Sequence, residues 1–377
     1  MKISIFHANA GHGHRKVAEV IEQALLRQGV PAADIRLEDA LDSTAGYFRK
    51  AYPAIYFNSV KYTPDAWGWS YESLDLPVVS RMVAPFRTAF NRFYGGKLLA
   101  RVRQEDPDVI LCTHFLSAEL FATARGQGKL RAKLITVITD FYPHAVWVNP
   151  GTDLYWVMSD EGADDLIHRG VPPERIRAGG IPVDAAFLPR GARNELLKKW
   201  GFNTDGFTLL ITSGSFGLGP TEEILTELAP FSDKIQAFVV CGNNKELEVR
   251  LQAKKLPFPA RIFGFVDFMP DLMEASDLLI AKSGGSTTTE SLVKGVPMVV
   301  LKPIPGQETR NAALLKKRNA AFFMEHSEEI KPILEAVFKY PQVLADKCRA
   351  IRQLAKPQAA EDLAQYVLGL PVKGSGA

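Results

Sequence analysis

The stretch ANAGHGHRKVAEV, residues 8–20, decides the fold of the first half of the chain. It follows the apolar run ISIFH and precedes a segment with helical apolar spacing, so it predicts a strand, a glycine turn and a helix. A helix start exposes unpaired N–H groups, and glycines let a phosphate or a sugar approach the backbone closely. The stretch therefore predicts a βα unit of a parallel sheet with a ligand site at its turn.

The same arrangement recurs twice in the second half of the chain. FTLLITSGSFGLG covers residues 207–219, and IAKSGGSTTTESLVKG covers residues 280–295. Other buried, β-branched runs alternate with amphipathic segments, which indicates doubly wound parallel sheets. The predicted strands are Lys2–Ala8, Asp108–Thr113, Leu134–Thr139, Leu154–Met158, Thr208–Thr212, Ala237–Cys241, Arg261–Phe265, Leu278–Ala281 and Met298–Leu301.

We therefore predict an α/β protein with two Rossmann-like domains, residues 1–185 and 186–377. The polar stretch PRGARNELLKKWGFNTDG separates two complete strand–helix series, which places the joint near residues 185–205. The last helical stretch, Gln342–Leu368, is expected to pack back on the N-terminal domain. The chain of 377 residues has the length of two ordinary domains.

Residues 44–103 interrupt the alternation with an aromatic and basic insertion. It contains nine Lys or Arg against three Asp or Glu, and its aromatic residues include Trp67 and Trp69. It is too long for an ordinary βα connection. Such a composition suits the interface of an anionic membrane, while an ordinary helical subdomain with aromatic core residues is the alternative.

Composition excludes several classes. The 45 basic and 42 acidic residues give a net charge of only +3, which does not favour nucleic-acid binding. The three cysteines are scattered, so a disulfide framework is not expected and a reducing compartment is. No run approaches the roughly 18 apolar residues of a membrane span, and the first residues do not resemble a signal peptide. We expect a cytoplasmic protein that touches the membrane peripherally.

His14 is the candidate catalytic base. It lies at the expected helix start, where the helix dipole disfavours an imidazolium, and a neutral imidazole near pH 7 suits a general base. His12 flanks it, and the alternative is that both histidines merely cap the helix. The stretch lacks the third glycine of a dinucleotide fingerprint, and the chain has no P-loop motif.

The glycine turns of the second domain predict a diphosphate site, because both follow strands and precede helices. Glu290 lies one turn into the helix that starts at Gly285 and Ser286, where its carboxylate could accept both hydroxyls of a ribose. Further on, Gln307 and Asn311 share a helix face, and amide groups suit the hydroxyls of a sugar. Ordinary turn chemistry and a solvated helix start are the alternatives.

These motifs resemble those of a known family. The second half looks like a nucleotide-sugar glycosyltransferase of the MurG type with the GT-B fold, two Rossmann-like domains with a cleft between them. The whole chain is similar to the monogalactosyl- and processive glucosyl-diacylglycerol synthases. The matching segments follow the family order over residues 1–325: AGHGHRKVAE, PDVILCTH, VITDFYPHAVWV, GGIPV, VVCGNNKEL, FGFVDFMPDLMEASDLLIAKSGGSTTTES and KPIPGQETRN.

The resemblance implies a role for each matching residue. His14 would be the catalytic base in the glycine-rich loop that includes Gly13. Gly264, Phe265 and Val266 would hold uracil, and Ser215, Gly285 and Ser286 the diphosphate. Glu290 would hold the ribose, and Gln307, Glu308 and Asn311 the donor sugar. Asp140 and His144 would lie on the acceptor side, with Trp67 and Trp69. Two departures, Asp184 after GGIPV and the bulky Phe216 in the first loop, concern the acceptor and one diphosphate contact.

No metal or other cofactor is expected. Asp106-Pro107-Asp108 spells the DxD pattern that binds a metal-diphosphate in other glycosyltransferases, but it precedes a strand and so lies at the wrong end of the sheet. No set of residues has zinc-ligand spacing. Helix N-termini can stabilise a leaving diphosphate instead.

The expected activity is that of an inverting glycosyltransferase moving glucose or galactose from UDP-glucose or UDP-galactose to diacylglycerol, with no metal. The main alternative is a transferase with another acceptor. A UDP-sugar 2-epimerase shares the two-domain design, although the aromatic-basic insertion speaks against it. A non-catalytic UDP-sugar sensor is a further alternative. The sequence leaves the donor hexose, the acceptor lipid and the oligomeric state open.

Overall fold

The computed structural model describes residues 1–8, 12–44, 58–59, 62–212, 214, 217 and 219–371. The chain divides into two compact units. The first unit comprises Met1–Val183, Ile304–Arg310 and Lys356–Ala377, and the second comprises Asp184–Pro303 and Asn311–Ala355. The division at Val183 lies two residues from the predicted joint, but three chain segments build the first unit.

The first unit contains a six-stranded sheet in the order β2-β1-β3-β4-β5-β6, in which every described pairing is parallel. Its strands are β1 (Ile3–His7), β2 (Ile35–Asp39), β3 (Val109–Cys112), β4 (Lys133–Val137), β5 (Leu154–Trp156) and β6 (Ile176–Arg177). The strand order reverses between β1 and β3. Ligands of open parallel sheets bind at the carboxyl ends of strands at such a switch point.

The second unit contains a six-stranded sheet in the order β12-β11-β10-β7-β8-β9, again with parallel pairings throughout its described strands. Its strands are β7 (Phe207–Thr212), β8 (Ile235–Val240), β9 (Ala260–Phe263), β10 (Leu278–Ala281), β11 (Met298–Leu301) and β12 (Ala321–Met324). Here the switch point lies between β7 and β10. The two predicted glycine turns follow these two strands.

Helices cover the sheets, as right-handed βα crossovers require. Among the described residues they are α1 (His12–Arg27), α2 (Pro64–Asp75), α3 (Pro77–Glu105), α4 (Phe115–Gly126), α5 (Asp160–His168), α6 (Arg193–Lys199), α7 (Thr221–Glu227), α8 (Lys245–Ala253), α9 (Met269–Glu274), α10 (Gly285–Lys294), α11 (Gln307–Lys317), α12 (Ile330–Lys339), α13 (Pro341–Leu354) and α14 (Ala359–Leu368). No described helix combines the length and the apolar character that crossing a bilayer requires.

The C-terminal stretch predicted as one helix is two. Helix α13 ends at Leu354 and α14 begins at Ala359, because Pro357 between them lacks the N–H that a continuous helix needs. Helix α14 packs on α1 in the first unit. Arg27 Nη2 lies 2.7 Å from Glu361 Oε1, and Gln28 Nε2 donates to the Glu361 carbonyl at 2.9 Å.

The central strands hold the two cores. In the first unit Phe6, Ile110 and Leu134 are fully buried and pack with α4, and in the second unit Leu209, Ile211 and Ile280 are fully buried beneath α7 and α8. Each Å² of apolar surface removed from water contributes about 25 cal/mol to the free energy of folding. These buried strands are therefore the main source of fold stability. The rigid cores fix the positions of the loops at the strand ends.

Candidate active site

His14 lies at the switch point of the first sheet. Helix α1 follows β1, and the ring of His14 reaches Thr113, directly after β3, and Thr139, two residues after β4. The helix is described from His12, two residues earlier than the predicted start near His14. The sequence-predicted base is therefore at the carboxyl edge of the sheet, where a ligand is expected.

The hydrogen bonds of His14 define its tautomer. Its Nδ1 lies 2.9 Å from the carbonyl oxygen of Thr113 and 3.0 Å from Oγ1 of Thr139. A carbonyl oxygen only accepts, so Nδ1 carries the proton, and Nε2 is left as the basic nitrogen. Thr113 Oγ1 donates to the His14 carbonyl at 2.8 Å, which fixes the start of α1 against β3.

Burial lowers the pKa of His14 to about 4, although the hydrogen bond to the Thr113 carbonyl works in the opposite direction. The imidazole is therefore neutral at pH 7, as a general base must be. The sequence argument ascribed this neutrality to the helix dipole. In the structure, loss of hydration on burial is the main cause.

A second histidine stands beside the first. The ring centroids of His14 and His114 are 4.7 Å apart in an edge-to-face arrangement. His114 Nδ1 accepts from Leu116 N at 3.1 Å and so caps helix α4. Burial, with the neighbouring His14, holds the pKa of His114 well below its usual value. Both rings are therefore neutral, and no positive charge competes for the base.

Asp140 connects the surroundings of His14 with Gln307. Trp147, whose ring centroid lies 6.4 Å from that of His14, donates from Nε1 to Asp140 Oδ2 at 2.8 Å. Gln307 Nε2 donates to Asp140 Oδ1. Burial raises the pKa of Asp140 to about 6, in spite of these two donors. Asp140 was predicted on the acceptor side, but its carboxylate holds a residue predicted to bind the donor sugar.

His144 has a structural role that the sequence did not predict. Its Nδ1 accepts from Val146 N at 3.1 Å, and its Nε2 donates to the Tyr71 carbonyl at 2.8 Å. Burial lowers its pKa. Both ring nitrogens form hydrogen bonds within the first unit. His144 therefore joins α2 to the turn after β4.

The two predicted tryptophans of the insertion have different surroundings. Trp67 is half-buried, with its ring centroid 6.3 Å from that of Tyr71. Trp69, two residues further along α2, is 75% exposed. Of the two tryptophans predicted on the acceptor side, Trp67 therefore packs against its own helix, and Trp69 lies at the surface.

The residues predicted to hold the diphosphate follow β7 and β10. Ser215 lies outside the described residues, as does Phe216. Helix α10 begins at Gly285, and its N-cap is Gly284, which has no side chain to satisfy the first N–H groups. Ser286 occupies the first turn. Gly285 and Ser286 thus lie where a helix N-terminus can hold an anion.

Asn311 fixes the backbone of this loop. It is fully buried, and its Nδ2 donates to the Ser283 carbonyl at 2.7 Å. Glu290 is also buried, at 8% exposure, on α10. Thr289, next to it, donates from Oγ1 to the Gly285 carbonyl at 2.7 Å. These bonds fix the helix start that carries the predicted ribose carboxylate.

The predicted uracil site lies at the carboxyl end of β9. The strand ends at Phe263, so Gly264, Phe265 and Val266 belong to the loop beyond it. Phe265 is 59% exposed. A Cβ added to Gly264 would lie only 2.5 Å from Glu248 Oε2, so this position admits no larger residue without rearrangement.

Glu308 stabilises the turn that precedes it in the chain. Its Oε2 accepts from Ile304 N at 2.9 Å, within the turn that leads into α11. With Gln307 on Asp140, two of the three residues predicted to bind the donor sugar are fixed by described contacts of the first unit.

The DxD pattern has the structural role expected for it. Asp106 ends α3 with a left-handed φ of 44°, and Asp108 accepts from Lys2 N at 2.7 Å before β3. Among the described residues, no group of three or more His, Cys, Asp or Glu is arranged to hold a metal ion.

A polar cavity of about 570 Å³ lies in the first unit beside α1 and β2. It is lined in part by Arg15, Glu19 and His7, but His14 does not line it. His7 is buried, and its loss of hydration lowers its pKa. The cavity therefore adjoins the candidate base without containing it.

Sequence reasoning missed four residues of this site: Thr113, Thr139, Asp75 and Arg310. The two threonines are the last residues of predicted strands, so their position at the carboxyl edge was a signal that could have identified them. Asp75 and Arg310 form an ion pair. They are 235 residues apart in sequence, and no local pattern indicates their contact.

Two parallel α/β units, each with candidate ligand loops at its switch point, are the architecture of the GT-B class of folds. Family models agree with this class. Residues 14–183 match the monogalactosyldiacylglycerol (MGDG) synthase model, and residues 208–365 match the glycosyltransferase family 28 C-terminal domain. The two halves of the chain therefore resemble an MGDG synthase and a glycosyltransferase family 28 C-terminal domain, which confirms the resemblance seen in its motifs.

Individual relatives support the same class. A Bacillus cereus protein named processive diacylglycerol beta-glucosyltransferase is 26% identical over 97% of this chain and 93% of its own length. The crystal structure of MurG from Acinetobacter baumannii superposes with a TM-score of 0.60, at 15% identity, over 98% of this chain and all of that one. The Anabaena protein Alr3699/HepE, solved with UDP-glucose, gives 0.58, at 16% identity, over 98% and 99%. The GT-B fold predicted from the sequence is confirmed.

Proposed function

We propose that this protein is an inverting glycosyltransferase that moves a hexose from a UDP-hexose to the hydroxyl of diacylglycerol. His14 Nε2 takes the proton of the acceptor hydroxyl. The acceptor oxygen then attacks the anomeric carbon, the bond from that carbon to the diphosphate breaks, and UDP leaves with the electron pair. Attack opposite to the leaving group inverts the configuration at the anomeric carbon.

One observation carries the proposal. His14 is a half-buried, neutral imidazole whose Nδ1 is held by the Thr113 carbonyl, so the second nitrogen is the base. Trp147, the neighbour of His14, donates a hydrogen bond to Asp140, and Gln307 donates to the other oxygen of the same carboxylate. A general base is thus joined, within one unit, to a residue suited to sugar hydroxyls.

The second unit supplies the features that a UDP moiety needs. The N-terminus of α10 offers backbone N–H groups to a diphosphate and stabilises the charge of the departing UDP. Glu290, buried on the same helix, is suited to the hydroxyls of a ribose. The Anabaena neighbour, which was crystallised with UDP-glucose, supports a UDP-sugar donor. The reaction so arranged needs no metal ion.

An exposed apolar stripe supports a membrane-bound acceptor. Val78, Met82 and Phe86 are four residues apart along α3 and are 68%, 69% and 79% exposed. Trp69 and Leu76 add to this surface at 75% and 57% exposure. Large exposed apolar patches mark interaction sites, and the sequence of this segment also contains Arg81 and Arg87, a composition that an anionic bilayer favours.

The name of the Bacillus cereus relative supports diacylglycerol as the acceptor. A water-insoluble acceptor suits an enzyme that lies on the membrane surface. We propose that the protein works on the cytoplasmic face and contacts anionic lipids through the stripe of α3.

A product assay tests the proposal. Purified protein is incubated with labelled UDP-glucose or UDP-galactose and diacylglycerol in anionic vesicles, in the presence of a chelator, and the lipids are separated. A labelled glycolipid is expected with one donor. His14→Ala is expected to abolish the product while leaving UDP affinity, measured by calorimetry, unchanged.

Different failures have different meanings. UDP binding without any labelled lipid would exclude diacylglycerol as the acceptor. Conversion of a UDP-N-acetylhexosamine alone would indicate a 2-epimerase, and product formed only after metal is added back would exclude the metal-free mechanism. Normal turnover by His14→Ala would refute the assignment of the base.

A further inference from the structure

Helix α2 has two faces with different surroundings. Gly68, Tyr71 and Asp75 are three and four residues apart and share one face, while Trp69 and Glu72 are exposed on another. Within the first unit, the first face packs on the segment Ile304–Arg310. We call this segment the donor loop because it carries Gln307 and Glu308.

The contact between α2 and the donor loop is close. A Cβ built on Gly68 would lie 2.2 Å from Pro305 Cβ, so only a glycine allows this approach. Gly306 has a left-handed φ of 107°, and a Cβ there would lie 3.2 Å from the ring of Tyr71. Two glycines, one on each element, therefore bring the helix and the loop together.

An ion pair closes the end of the contact. Arg310 Nη2 donates to Asp75 Oδ2, and the Arg310 guanidinium lies 5.4 Å from the centroid of the Tyr71 ring. Arg310 Nη1 also donates to the Pro143 carbonyl at 3.2 Å. Since Arg310 is three residues from Gln307, its position sets the first turn of α11.

Asp75 is itself firmly fixed. Both terminal nitrogens of Arg169 donate to its carboxylate at 2.9 Å, and Ala145 N donates at 2.7 Å. With Arg310, these donors lower the pKa of Asp75 to about 2 despite its burial. The carboxylate is therefore charged at any working pH and has one orientation.

We propose that Asp75 is a positioning residue for the donor sugar: through Arg310 it holds the donor loop against α2, so that Gln307 and Glu308 meet the hexose in register. This inference rests on the proposed function, in which the donor loop binds the hexose. The inference gives a role in donor binding to Asp75, which touches neither the substrate nor the reacting atoms. It also ties donor recognition to the helix that carries the exposed Trp69.

The test separates recognition of the hexose from recognition of UDP. Asp75→Asn is expected to raise the KM for UDP-hexose by about tenfold or more, because displacing a binding group by about 1 Å costs up to about 10²-fold. The Kd for UDP, measured by calorimetry, is expected to stay unchanged, since the residues proposed for uracil, ribose and diphosphate belong to the second unit. A general loss of structure would weaken both.

Three further variants sharpen the test. Asp165→Asn is the matched control: Asp165 also accepts from Arg169, at 2.7 Å, but does not contact the donor loop, so normal kinetics are expected. Asp75→Glu keeps the carboxylate and is expected to restore part of the affinity for UDP-hexose. Arg310→Gln leaves Asp75 with Arg169 and Ala145, so it makes the same test if Asp75→Asn does not fold.

A double mutant supplies the last criterion. Asp75→Asn with Arg310→Gln is expected to be no worse than the more impaired single variant, because both substitutions remove the same ion pair. Normal KM values for UDP-hexose in the folded single variants would overturn the positioning role and leave the proposed function standing. A wild-type protein that binds neither UDP nor UDP-hexose would overturn both.

Discussion

Gly68→Ala is the most incisive single change that the structure suggests. The added methyl group would lie 2.2 Å from Pro305 Cβ, whereas two carbon atoms rest at about 3.5 Å or more. The proline ring is rigid, so the donor loop has to move away from α2 by about 1.3 Å, the difference between these two distances. A shift of about 1 Å in a positioning group can cost about 10²-fold in rate.

The substitution also separates function from folding. In a helix interior, alanine is more favourable than glycine by about 1 kcal/mol, so the substitution should make α2 itself more stable. We therefore expect kcat/KM for UDP-hexose to fall by about 10²-fold, while UDP binding and the helical circular dichroism signal stay normal. Initial rates with labelled UDP-hexose give kcat/KM, and calorimetry gives the affinity for UDP. Circular dichroism recorded during a thermal melt gives the helical signal and its stability.

Gly96→Ala is the matched control. Gly96 also lies in a helix, α3, but a Cβ at this position would meet nothing within 4 Å. Its kinetics should equal those of the wild type. If Gly68→Ala also turned over UDP-hexose at the wild-type rate, the close contact between α2 and the donor loop would have no role in catalysis, and the argument from distance would be refuted.

Three other predictions concern separate parts of the site. Because protonation of Asp140 removes an acceptor for Trp147 and Gln307, wild-type kcat/KM should fall as the pH drops through about 6, and a pH–rate profile of Asp140→Asn should be lower throughout and lack this step. Glu290→Ala should weaken UDP binding by about tenfold or more, the value of a charged hydrogen bond, and an unchanged affinity by calorimetry would exclude the ribose contact. Phe86→Glu, at an exposed position, should reduce flotation with anionic vesicles without changing UDP affinity; equal flotation would remove α3 from the membrane contact.

The central strands could be predicted from the sequence because burial on both faces makes them short apolar runs. Three strands at the sheet edges were missed. β2 has the polar sequence IRLED, β6 contains two residues, and β12 is the apolar run AFFM, four residues long. Edge strands need less apolar sequence, which explains the weak patterns of β2 and β6, whereas the apolar run of β12 was a signal that could have identified it.

The site was predicted where its signal is local. His14 lies in a glycine turn between a strand and a helix, and that pattern is contained in 13 residues. Its partners Thr113 and Thr139 are 99 and 125 residues away in sequence, and only strand order brings them together. The hydrogen bonds of His144 could not be predicted, because a motif position says nothing about which bonds the ring makes.

The discontinuous first unit limits how this protein can be divided or recombined. A fragment that ends at Val183 would lack α14 and leave Arg27 and Gln28 on α1 without their partner Glu361. A single cut, whether by a protease or in a gene, therefore releases neither unit whole. A chimera designed to exchange donor specificity must replace Asp184–Pro303 and Asn311–Ala355 together, and it must keep residues 304–310 from the parent that supplies α2.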